Sequence, residues 1–581
     1  MKLADALVEA LIRWEIKYVF GVSGANIEHL HDAINRLGKG RIESVMAKCE
    51  NGAAFMADAR ARIHKTMGVC CSTSGGGMVN LLVGVAESYA ESVPLLAIVG
   101  QPPSNLEGKG AFQDSSGIGR SVDAIKLWES VTKYTAKISH PEDFWKILLN
   151  AVHISLNGRP GPSALLIPRD LYDQDVGDFP QNFPSSLPEL LEVDSEVDRS
   201  SLLKLIHEIK KAKAPVLILG HGIRRSRNSE AVISFAKSIE IPVVTTLSGK
   251  GEFPNNHPLY MGMVGVAGHP SVHRYLKEVA DLIIVIGAGL NIMTRAPLAQ
   301  VLNEKKIAVI NIDAGEITRS VKTDIVIEAD AGVVAQKLLI EFEKEPFKCL
   351  TVTQYQLERF QSVLAPEIPP DARPKVTKPL LQSEAIDILS QTLPTNGHLI
   401  FDAGNCAAAA LHLTKIPPQC SSTIALGMGG MGYAIAAAVG AQLGSKPGTR
   451  TVVFCGDGAF LMLGFEVHTA VDLRLPVLFV VFNNNMHGMC VTRQQLFFES
   501  RLECVRYNTI EIAVLARGFG NEKDLWVGTA ATVEELHKQL SAYQKHANDI
   551  PGVLELKLLR EEVPPFTPFL PNDAPIELFK N

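Results

Sequence analysis

Short apolar runs rich in β-branched residues recur along the whole chain, and most of them end abruptly at glycine or polar residues. Stretches with helical spacing of apolar residues separate these runs, and the alternation of strand and helix is typical of parallel doubly wound sheets. The pattern forms three blocks. We therefore predict an α/β fold with three doubly wound parallel-sheet domains, at residues 1–175, 200–345 and 375–560, followed by an extended arm at 561–581.

Within each block the apolar runs predict individual strands. The first block has predicted strands from Tyr18 onwards and at 42–47, 68–72, 94–99 and 165–168. The middle block has them at 214–219, 242–245, 281–286 and 306–312. The third has them at 399–402, 451–455, 476–482 and 552–558.

The third block contains the most informative stretch. Its strand at 451–455 ends in Gly456-Asp457-Gly458, the next strand ends in Asn483-Asn484-Asn485, and a helical pattern at 461–473 joins the two. Both polar breaks then lie at carboxyl ends of parallel strands, where open α/β sheets bind ligands. A carboxylate and an amide beside an anion-favouring helix start suit Mg²⁺ bound to a diphosphate. An ordinary glycine turn and polar loop in some other α/β sheet is the alternative.

The spacing of these residues carries a resemblance. Gly-Asp-Gly, then 24 residues, then Asn-Asn closely resembles the diphosphate-binding signature of thiamine diphosphate enzymes. The resemblance implies that Asp457, Asn484 and the backbone carbonyl of Met486 hold Mg²⁺. It also implies a wider set of cofactor-binding residues, namely Glu50, Ser74, Gly429, Met431, Gly456, Gly458, Ala459, His487, Gly488 and Met489.

The first block resembles the pyrimidine-binding domain of the same enzymes, nearest to the acetolactate synthase group. Cys49-Glu50-Asn51-Gly52-Ala53-Ala54 stands where the family has a Glu that opens a helix, and Ser74-Gly75 begins its glycine turn. Ala111-Phe112-Gln113-Asp114 stands where acetolactate synthases have Ala-Phe-Gln-Glu. The His pair of the pyruvate decarboxylase relatives is missing there, which favours the ligating branch.

Glu50 is the candidate for cofactor activation. Thiamine becomes a nucleophile when its C2 proton leaves, and the nearest base is its own 4′-amino group in the imino form. A carboxyl group that is hydrogen-bonded to pyrimidine N1′ favours that tautomer, and apolar surroundings would raise the pKa of this carboxyl. A Glu at a helix start can also serve only as a partner of the helix dipole. By resemblance, Gln113 donates to the developing alkoxide. His487 lies in the loop that follows the predicted metal ligands, and from this position we expect it to relay a proton.

The loop 427–432, Gly-Met-Gly-Gly-Met-Gly, resembles the segment between the two cofactor rings. The resemblance implies that the Gly429 carbonyl accepts from the 4′-amine and that Met431 bends the cofactor; a core methionine is the alternative. In the middle domain, glycine turns follow the first and third strands at 220–222 and 287–289. The family sometimes holds FAD or ADP in this domain, so FAD is possible, and a purely structural domain is the alternative.

Three departures concern the substrate. Arg493 stands near the place where acetolactate synthases have a tryptophan that shapes the pocket, and a guanidinium favours an anionic or oxygenated acceptor. Gly289-Leu290-Asn291-Ile292-Met293 replaces an Arg-Phe-Asp-Asp-Arg run, although Arg295 is close. Leu461 and Leu463, after the Gly-Asp-Gly turn, stand where acetolactate synthases have polar residues. We therefore expect a product other than acetolactate.

Composition indicates which partners are excluded and which cellular compartment to expect. The 581 residues carry 56 basic and 62 acidic side chains without charge blocks, which argues against nucleic acid or an anionic membrane as partner. Nine cysteines without metal spacing indicate a reducing compartment, so we expect a cytoplasmic protein. The uncharged stretch at 416–445 contains two prolines and six glycines, which favours a buried helix over a membrane span.

These observations lead to one main functional hypothesis. The chain would decarboxylate a pyruvate-like 2-oxo acid and add the resulting enamine to an acceptor carbonyl. The resemblance also implies a homodimer or homotetramer with active sites between subunits. Simple decarboxylation or C–C lysis without ligation is the near alternative. A flavin or nicotinamide oxidoreductase would need a full dinucleotide fingerprint, which neither glycine turn supplies. A non-catalytic subunit would have no use for Glu50 or the metal pair.

Overall fold

A computed structural model describes residues 1–192, 197–349, 363–364, 378–546, 549–558 and 562–563. It contains three six-stranded sheets whose paired strands all run parallel, which confirms the predicted fold class. The predicted arm at 561–581 lies outside the described residues except for its short strand at 562–563.

The first sheet has the order β2-β1-β3-β4-β6-β5. Its strands are β1 (Tyr18–Gly21), β2 (Glu43–Met46), β3 (Gly68–Ser72), β4 (Leu95–Gln101), β5 (Tyr134–Lys137) and β6 (Pro162–Pro168). Its helices are α1 (Leu3–Arg13), α2 (Glu28–Leu37), α3 (Glu50–His64), α4 (Gly76–Ala90), α5 (Ala124–Glu129) and α6 (Phe144–Leu156).

The second sheet has the order β12-β11-β10-β7-β8-β9. Its strands are β7 (Pro215–Leu219), β8 (Val243–Thr245), β9 (Tyr260–Met263), β10 (Leu282–Ile286), β11 (Lys306–Asn311) and β12 (Ile325–Glu328). Its helices are α7 (Arg199–Lys211), α8 (Gly222–Arg225), α9 (Ser229–Ser238), α10 (Pro270–Glu278), α11 (Ile292–Arg295), α12 (Ala299–Glu304), α13 (Gly315–Thr318) and α14 (Ala331–Lys344).

The third sheet has the order β15-β14-β16-β17-β19-β18, and a short antiparallel pair joins β13 (Val363–Leu364) to β20 (Glu562–Val563). The sheet strands are β14 (Asn396–Phe401), β15 (Gln419–Ile424), β16 (Arg450–Gly456), β17 (Val477–Asn483), β18 (Trp526–Ala530) and β19 (Gly552–Lys557). The helices are α15 (Gln382–Ser390), α16 (Asn405–Leu413), α17 (Tyr433–Gln442), α18 (Asp457–Leu463), α19 (Glu466–Asp472), α20 (Gly488–Phe497), α21 (Ile512–Ala516) and α22 (Val533–His546).

The uncharged stretch at 416–445 contains β15 and α17, and every residue of α17 is buried. Among the described residues, no helix combines the length and the apolar character that crossing a bilayer requires.

Contacts group the chain into two compact units. The first comprises Met1–Val193, Ala425–Ser445 and Met462–Leu475; the second comprises Asp194–Ile424, Lys446–Leu461 and Pro476–Asn581. The first unit therefore combines the amino-terminal sheet with α17 and α19, although the sequence places these two helices in the third block.

Helix α3 forms the centre of the first unit. A Cβ on Gly440 of α17 would lie 1.9 Å from the carbonyl oxygen of Met56, and a Cβ on Gly84 of α4 would lie 2.4 Å from the Cβ of Ala54. Glycine at both positions is required, because any side chain would meet α3.

A buried polar network lies beside this contact. The Asp58 carboxylate accepts hydrogen bonds from Arg62 Nε at 2.6 Å, from Ser88 Oγ at 2.8 Å and from the Tyr433 hydroxyl at 2.9 Å. Asp58 is fully buried. A buried carboxylate without such partners would cost several kcal/mol of folding free energy, so the network fixes which faces of α3, α4 and α17 meet.

The second unit buries histidines in their neutral form. The rings of His269 and His412 stack with centroids 4.4 Å apart, and His269 Nδ1 accepts from the Met263 amide at 3.0 Å. Burial lowers the pKa of His269 to about 2, with smaller contributions from His412 and Lys250. Burial also lowers the pKa of His273 to about 4.

The lowered pKa values of His269 and His273 predict that the folded state loses stability in acid. Their folded pKa values lie below the unfolded value, so the unfolded chain takes up protons that the folded chain refuses, and stability falls as the pH drops below about 6.5. The free energy of unfolding should decrease by up to about 1.4 kcal/mol per pH unit for each histidine. Urea unfolding at several pH values measures this slope.

A pair of variants separates the histidines from the other titrating groups. His269→Gln should reduce the acid slope by about one proton. His140→Gln changes an exposed ring and should leave the slope as it is. Equal slopes in the two variants would contradict the assignment.

Candidate active site

The half of the site that we predict to bind diphosphate lies where β16 and β17 end. These strands are parallel neighbours with Gly456 opposite Phe482, so the residues that follow them come together. Asp457 begins α18, and its Oδ2 accepts from the Asn484 amide at 3.2 Å while its Oδ1 accepts from the Gly458 amide at 2.8 Å. The structure thus brings the predicted carboxylate and the predicted asparagine loop into contact.

The loop after β17 is held from two sides. Asn484 Oδ1 accepts from the Met486 amide at 3.3 Å, and the backbone of Met486 forms an isolated antiparallel β-bridge with that of Arg506. The His487 amide donates to the Val505 carbonyl at 2.9 Å. Asn485 has a positive φ of 56°, a conformation that asparagine tolerates better than most residues. The chain therefore turns sharply at Asn485 and presents 484–487 next to Asp457.

Burial dominates the electrostatics of Asp457. The residue is 2% exposed, and burial raises the pKa of its carboxyl to about 6 against the opposing effects of the Tyr507 hydroxyl and nearby backbone amides. The Tyr507 hydroxyl is buried beside Asp457, and burial followed by the Asp457 charge raises the pKa of this hydroxyl. A cation beside Asp457 would stabilise the ionised carboxylate in this environment.

The donor set fits Mg²⁺. It offers a carboxylate oxygen, an amide oxygen and the backbone carbonyl of Met486, which are the hard oxygen donors that Mg²⁺ prefers. Among the described residues there is no group of three or more His, Cys, Asp or Glu side chains that could enclose a metal. A cation here would therefore take its remaining ligands from phosphate and water.

Glu555 on β19 supports the asparagine loop and has no signature in the sequence. Its Oε1 accepts from Asn483 Nδ2 at 2.6 Å, and Asn483 Nδ2 also donates to the Ile510 carbonyl at 2.8 Å. The same carboxylate accepts from the amides of Ile512 and Ala513 at the start of α21. Glu555 is fully buried, so these bonds fix the residue that precedes Asn484.

The other residues predicted in this half surround the same turn. Gly456 ends β16, and a Cβ there would lie 3.5 Å from Cys406 Sγ. Gly458 and Ala459 continue α18, while Gly488 and Met489 open α20. The His487 ring meets the Tyr507 ring edge to face, with centroids 5.6 Å apart.

The pyrimidine half of the predicted site lies in the first unit. Glu50 is the first residue of α3 and is half-buried. Its Oε2 accepts from Asn80 Nδ2 at 3.1 Å, and a Cβ on Gly77 would lie 2.9 Å from its Oε1. The carboxylate therefore lies against the glycine turn that opens α4.

Ser74 and Gln113 meet at the same glycine turn. Ser74 Oγ donates to Gln113 Oε1 at 3.3 Å and accepts from Asn26 Nδ2 at 2.7 Å. Gln113 has a φ of 59°, and a Cβ on Gly75 would lie 2.9 Å from the Cβ of Gln113. Sequence reasoning missed Asn26, which lies in the loop after β1 and orients Ser74.

The loop 427–432 precedes α17. Gly429 has a φ of 66° and is exposed, and Met431 is half-buried, so neither residue belongs to a fully packed core. The partial exposure of Met431 leaves its side chain able to contact a ligand.

The two glycine turns of the middle domain close on each other. The Gly220 amide donates to the Ile286 carbonyl, and the Gly222 amide donates to the Gly287 carbonyl, both at 2.9 Å. A Cβ on Gly220 would lie 2.3 Å from the Gly287 oxygen. These glycines therefore serve a close approach of two backbones.

Arg493 is exposed on α20, and its guanidinium carbon lies 5.6 Å from the centre of the Phe497 ring. It follows Met489 by four residues on the same helix, so the two share a face. Arg295, which lies close to the Gly289–Met293 segment, ends α11 and donates to the Leu290 carbonyl at 3.4 Å.

Comparison with known proteins finds one family domain within each of the three blocks of the chain. Residues 1–119 match the amino-terminal thiamine pyrophosphate binding domain of thiamine pyrophosphate enzymes, residues 202–338 their central domain and residues 402–555 their carboxyl-terminal binding domain. A chain from Mycobacterium smegmatis described as a thiamin diphosphate-dependent enzyme superposes with a TM-score of 0.76, at 21% identity, over 96% of this chain and 99% of that one. This likeness concerns the fold.

Curated relatives extend the match over nearly the full length. A probable acetolactate synthase large subunit from Methanocaldococcus jannaschii is 30% identical over 95% of this chain and 92% of its own. The acetolactate synthase large subunit of Lactococcus lactis is 31% identical over 86% and 83%. These matches, together with the three domain matches, show that the chain belongs to the thiamine pyrophosphate enzymes and is similar to acetolactate synthase large subunits.

Proposed function

We propose that this enzyme uses thiamine diphosphate and Mg²⁺ to decarboxylate a pyruvate-like 2-oxo acid and to join the remaining fragment to an acceptor carbonyl. The contact of Asp457 with the Asn484 loop at the ends of β16 and β17 carries the proposal. The full-length similarity to acetolactate synthase large subunits supports both the decarboxylation and the ligation.

In this proposal the residues of the diphosphate half bind the metal, and Glu50 of the pyrimidine half activates the cofactor. Thiamine diphosphate, when bound, supplies the electron sink for cleavage of the carbon–carbon bond. Asp457, Asn484 and the Met486 carbonyl would hold Mg²⁺. Glu50 would share a proton with pyrimidine N1′.

The remaining predicted residues complete the assignment. Gln113 would donate to the reacting oxygen of the substrate, and His487 would relay a proton. The Gly429 carbonyl would accept from the 4′-amine while Met431 shapes the cofactor. The further binding residues of this proposal are Ser74, Gly456, Gly458, Ala459, Gly488 and Met489.

The acceptor differs from that of acetolactate synthesis in this proposal. Arg493 is exposed on the helix that follows the metal loop, so its guanidinium can meet an anionic or oxygen-rich partner. The Gly289–Met293 stretch lacks the arginine that acetolactate synthases have at the matching position. A product other than acetolactate follows from these two differences.

Assembly is proposed from exposed apolar side chains in the first unit. Phe112 is 82% exposed, Met46 64%, and Met428 and Phe465 each 62%. Phe112 and Met428 neighbour predicted site residues, and apolar exposure of this kind marks surfaces that another chain covers. We propose a homodimer or homotetramer in which a second copy covers them and the active sites lie at the subunit interface.

The middle domain is proposed to be structural. Its glycine turns are explained by the hydrogen bonds and the close backbone approach between them, and this explanation favours a structural role over a bound FAD. The proposed domain limits stay 1–175, 200–345 and 375–560. All nine cysteines are free thiols, which supports a cytoplasmic location.

The first test scores carbon dioxide and products from a panel of 2-oxo acids, with and without an added aldehyde or ketone. Ligation predicts that carbon dioxide release rises on addition of the acceptor and that the product contains both carbon skeletons. Free aldehyde as the main product in the presence of every acceptor would instead establish simple decarboxylation.

The second test replaces Glu50. Glu50→Gln should lower kcat by roughly 10²–10⁴-fold, the usual contribution of a positioned proton-transfer group, while the protein still binds the cofactor. Proton exchange at C2 of bound thiamine diphosphate, followed by NMR, should slow in parallel. Glu142→Gln changes an exposed carboxylate and is the control. An active Glu50→Gln variant would refute the assignment.

The third test concerns the metal. Asp457→Asn should weaken Mg²⁺-dependent binding of thiamine diphosphate by about 100-fold or more, since the loss of even an outer partner of a metal ligand costs 10–100-fold. Calorimetric titration of the cofactor at fixed Mg²⁺ measures the change. Asp178→Asn, at an exposed position, should bind as the parent protein does. Undiminished affinity in Asp457→Asn would place the metal elsewhere.

A further inference from the structure

Two fully buried carboxylates in the first unit hold backbone amides of segments that are remote in sequence. Glu466 lies on α19 and Glu87 on α4. Neither belongs to the predicted cofactor set, and both bind a segment that contains members of that set. Burying a carboxylate is costly unless it accepts several hydrogen bonds, so these contacts determine where each carboxylate can lie.

Glu466 caps the helix that begins with Glu50. Its Oε1 accepts from the amides of Lys48 at 2.9 Å and Cys49 at 3.1 Å, and its Oε2 accepts from Thr469 Oγ1 at 2.7 Å. Cys49 is the N-cap residue of α3 and makes no side-chain cap bond of its own. Glu466 therefore satisfies, from another part of the chain, the amide of the N-cap residue Cys49 and the amide before it.

The glycine at position 52 permits this approach. A Cβ on Gly52 would lie 2.3 Å from Glu466 Oε1, so any other residue would push the carboxylate away. Glycine inside a helix costs about 1 kcal/mol relative to alanine. Its presence as the third residue of α3 is explained by the need to admit Glu466.

Glu87 holds the loop that contains Gly429 and Met431. Its Oε1 accepts from the Gly427 amide at 3.1 Å, and its Oε2 accepts from the Met428 amide at 2.7 Å. Arg62 Nη2 lies 3.6 Å from Glu87 Oε1 and ties it to the Asp58 network. A glycine is again present at the contact, because a Cβ on Gly427 would lie 2.6 Å from the Cβ of Ala90.

The two contacts are reciprocal. A carboxylate from the carboxyl-terminal part of the chain fixes the start of α3, and a carboxylate from the amino-terminal part fixes the start of the loop 427–432. We propose that Glu466 and Glu87 are positioning residues, which set Glu50 and the Gly429–Met431 segment in the geometry that activation of thiamine diphosphate requires. The proposal rests on the proposed function of Glu50.

The rate of C2 proton exchange in bound thiamine diphosphate tests the proposal in the full-length holoenzyme. A misplacement of about 1 Å can cost about 100-fold in rate, so Glu466→Ala and Glu87→Ala should each slow the exchange by about that factor. Cofactor affinity, measured by titration with Mg²⁺ present, should fall far less. A role in folding alone would lower the unfolding temperature and leave the exchange rate of the folded variants unchanged.

The glutamine variants give opposite results in this proposal. Glu466 uses one oxygen for both amides, so Glu466→Gln keeps that acceptor and turns its NH₂ toward the Thr469 hydroxyl, which can accept. Most of the exchange rate should return. Glu87 uses a different oxygen for each amide, so Glu87→Gln places an NH₂ against an N–H and should stay slow.

A second variant guards against misfolding of the alanine proteins. Gly52→Ala has a favourable helix propensity but displaces Glu466 Oε1, so it should slow the exchange in a folded protein. Gly518→Ala has no heavy atom within 4 Å of its added Cβ and is the control. Parent-like exchange in Gly52→Ala and Glu466→Ala would overturn the proposal.

Glu50→Gln measured alongside separates the two levels of inference. If it slows the exchange while the Glu466 and Glu87 variants do not, the positioning role alone is refuted. If Glu50→Gln leaves the exchange untouched, the proposed function of Glu50 fails and the positioning role fails with it.

Discussion

The contact between α3 and α17 is the constraint on which the first unit depends. Gly440 lets the two helices approach so closely that a Cβ there would lie 1.9 Å from the Met56 carbonyl oxygen, and the Tyr433 hydroxyl of α17 donates to Asp58 of α3 across the same contact. Close packing fixes the distance between the helices. The hydrogen bonds from Tyr433, Ser88 and Arg62 to Asp58 fix how each helix is rotated about its axis. Since Glu50 begins α3 and the loop 427–432 ends at α17, both candidate segments inherit their positions from this helix pair.

The half of the candidate site around Asp457 and Asn484 follows a different physical principle. Its position comes from parallel strand order, because β16 and β17 are neighbours and end at the same edge of their sheet. Its chemistry comes from burial: a carboxylate that is 2% exposed, beside the buried Tyr507 hydroxyl, favours a cation far more than a solvated aspartate would. Glu555 then fixes Asn483, so that the loop bearing Asn484 depends on a strand later in the chain.

Sequence patterns predicted the fold class and the interior strands, and they missed five of the six edge strands of the three sheets. Interior strands such as Gly68–Ser72 are continuous apolar runs, whereas the edge strand Gln419–Ile424 is largely polar and Tyr134–Lys137 is partly exposed throughout. The candidate residues with local signals, such as Asp457 and Glu50, could be found from motif and spacing. Glu466, Glu555, Tyr507 and Asn26 could not, because their partners are set by tertiary packing.

The composition of the first unit bears on how the chain matures during synthesis. Met1–Val193 leaves the ribosome first, yet α3 meets α17 and α19 only after residues up to Leu475 have been made. Until then the backbone amides of 48–49 lack Glu466, and Glu87 lacks the amides of Gly427 and Met428. The face of α3 that receives α17 also lacks that helix. Domains usually fold in the order of translation. Here the amino-terminal sheet can form early, while the edge that carries the candidate residue Glu50 is completed only when most of the polypeptide has emerged.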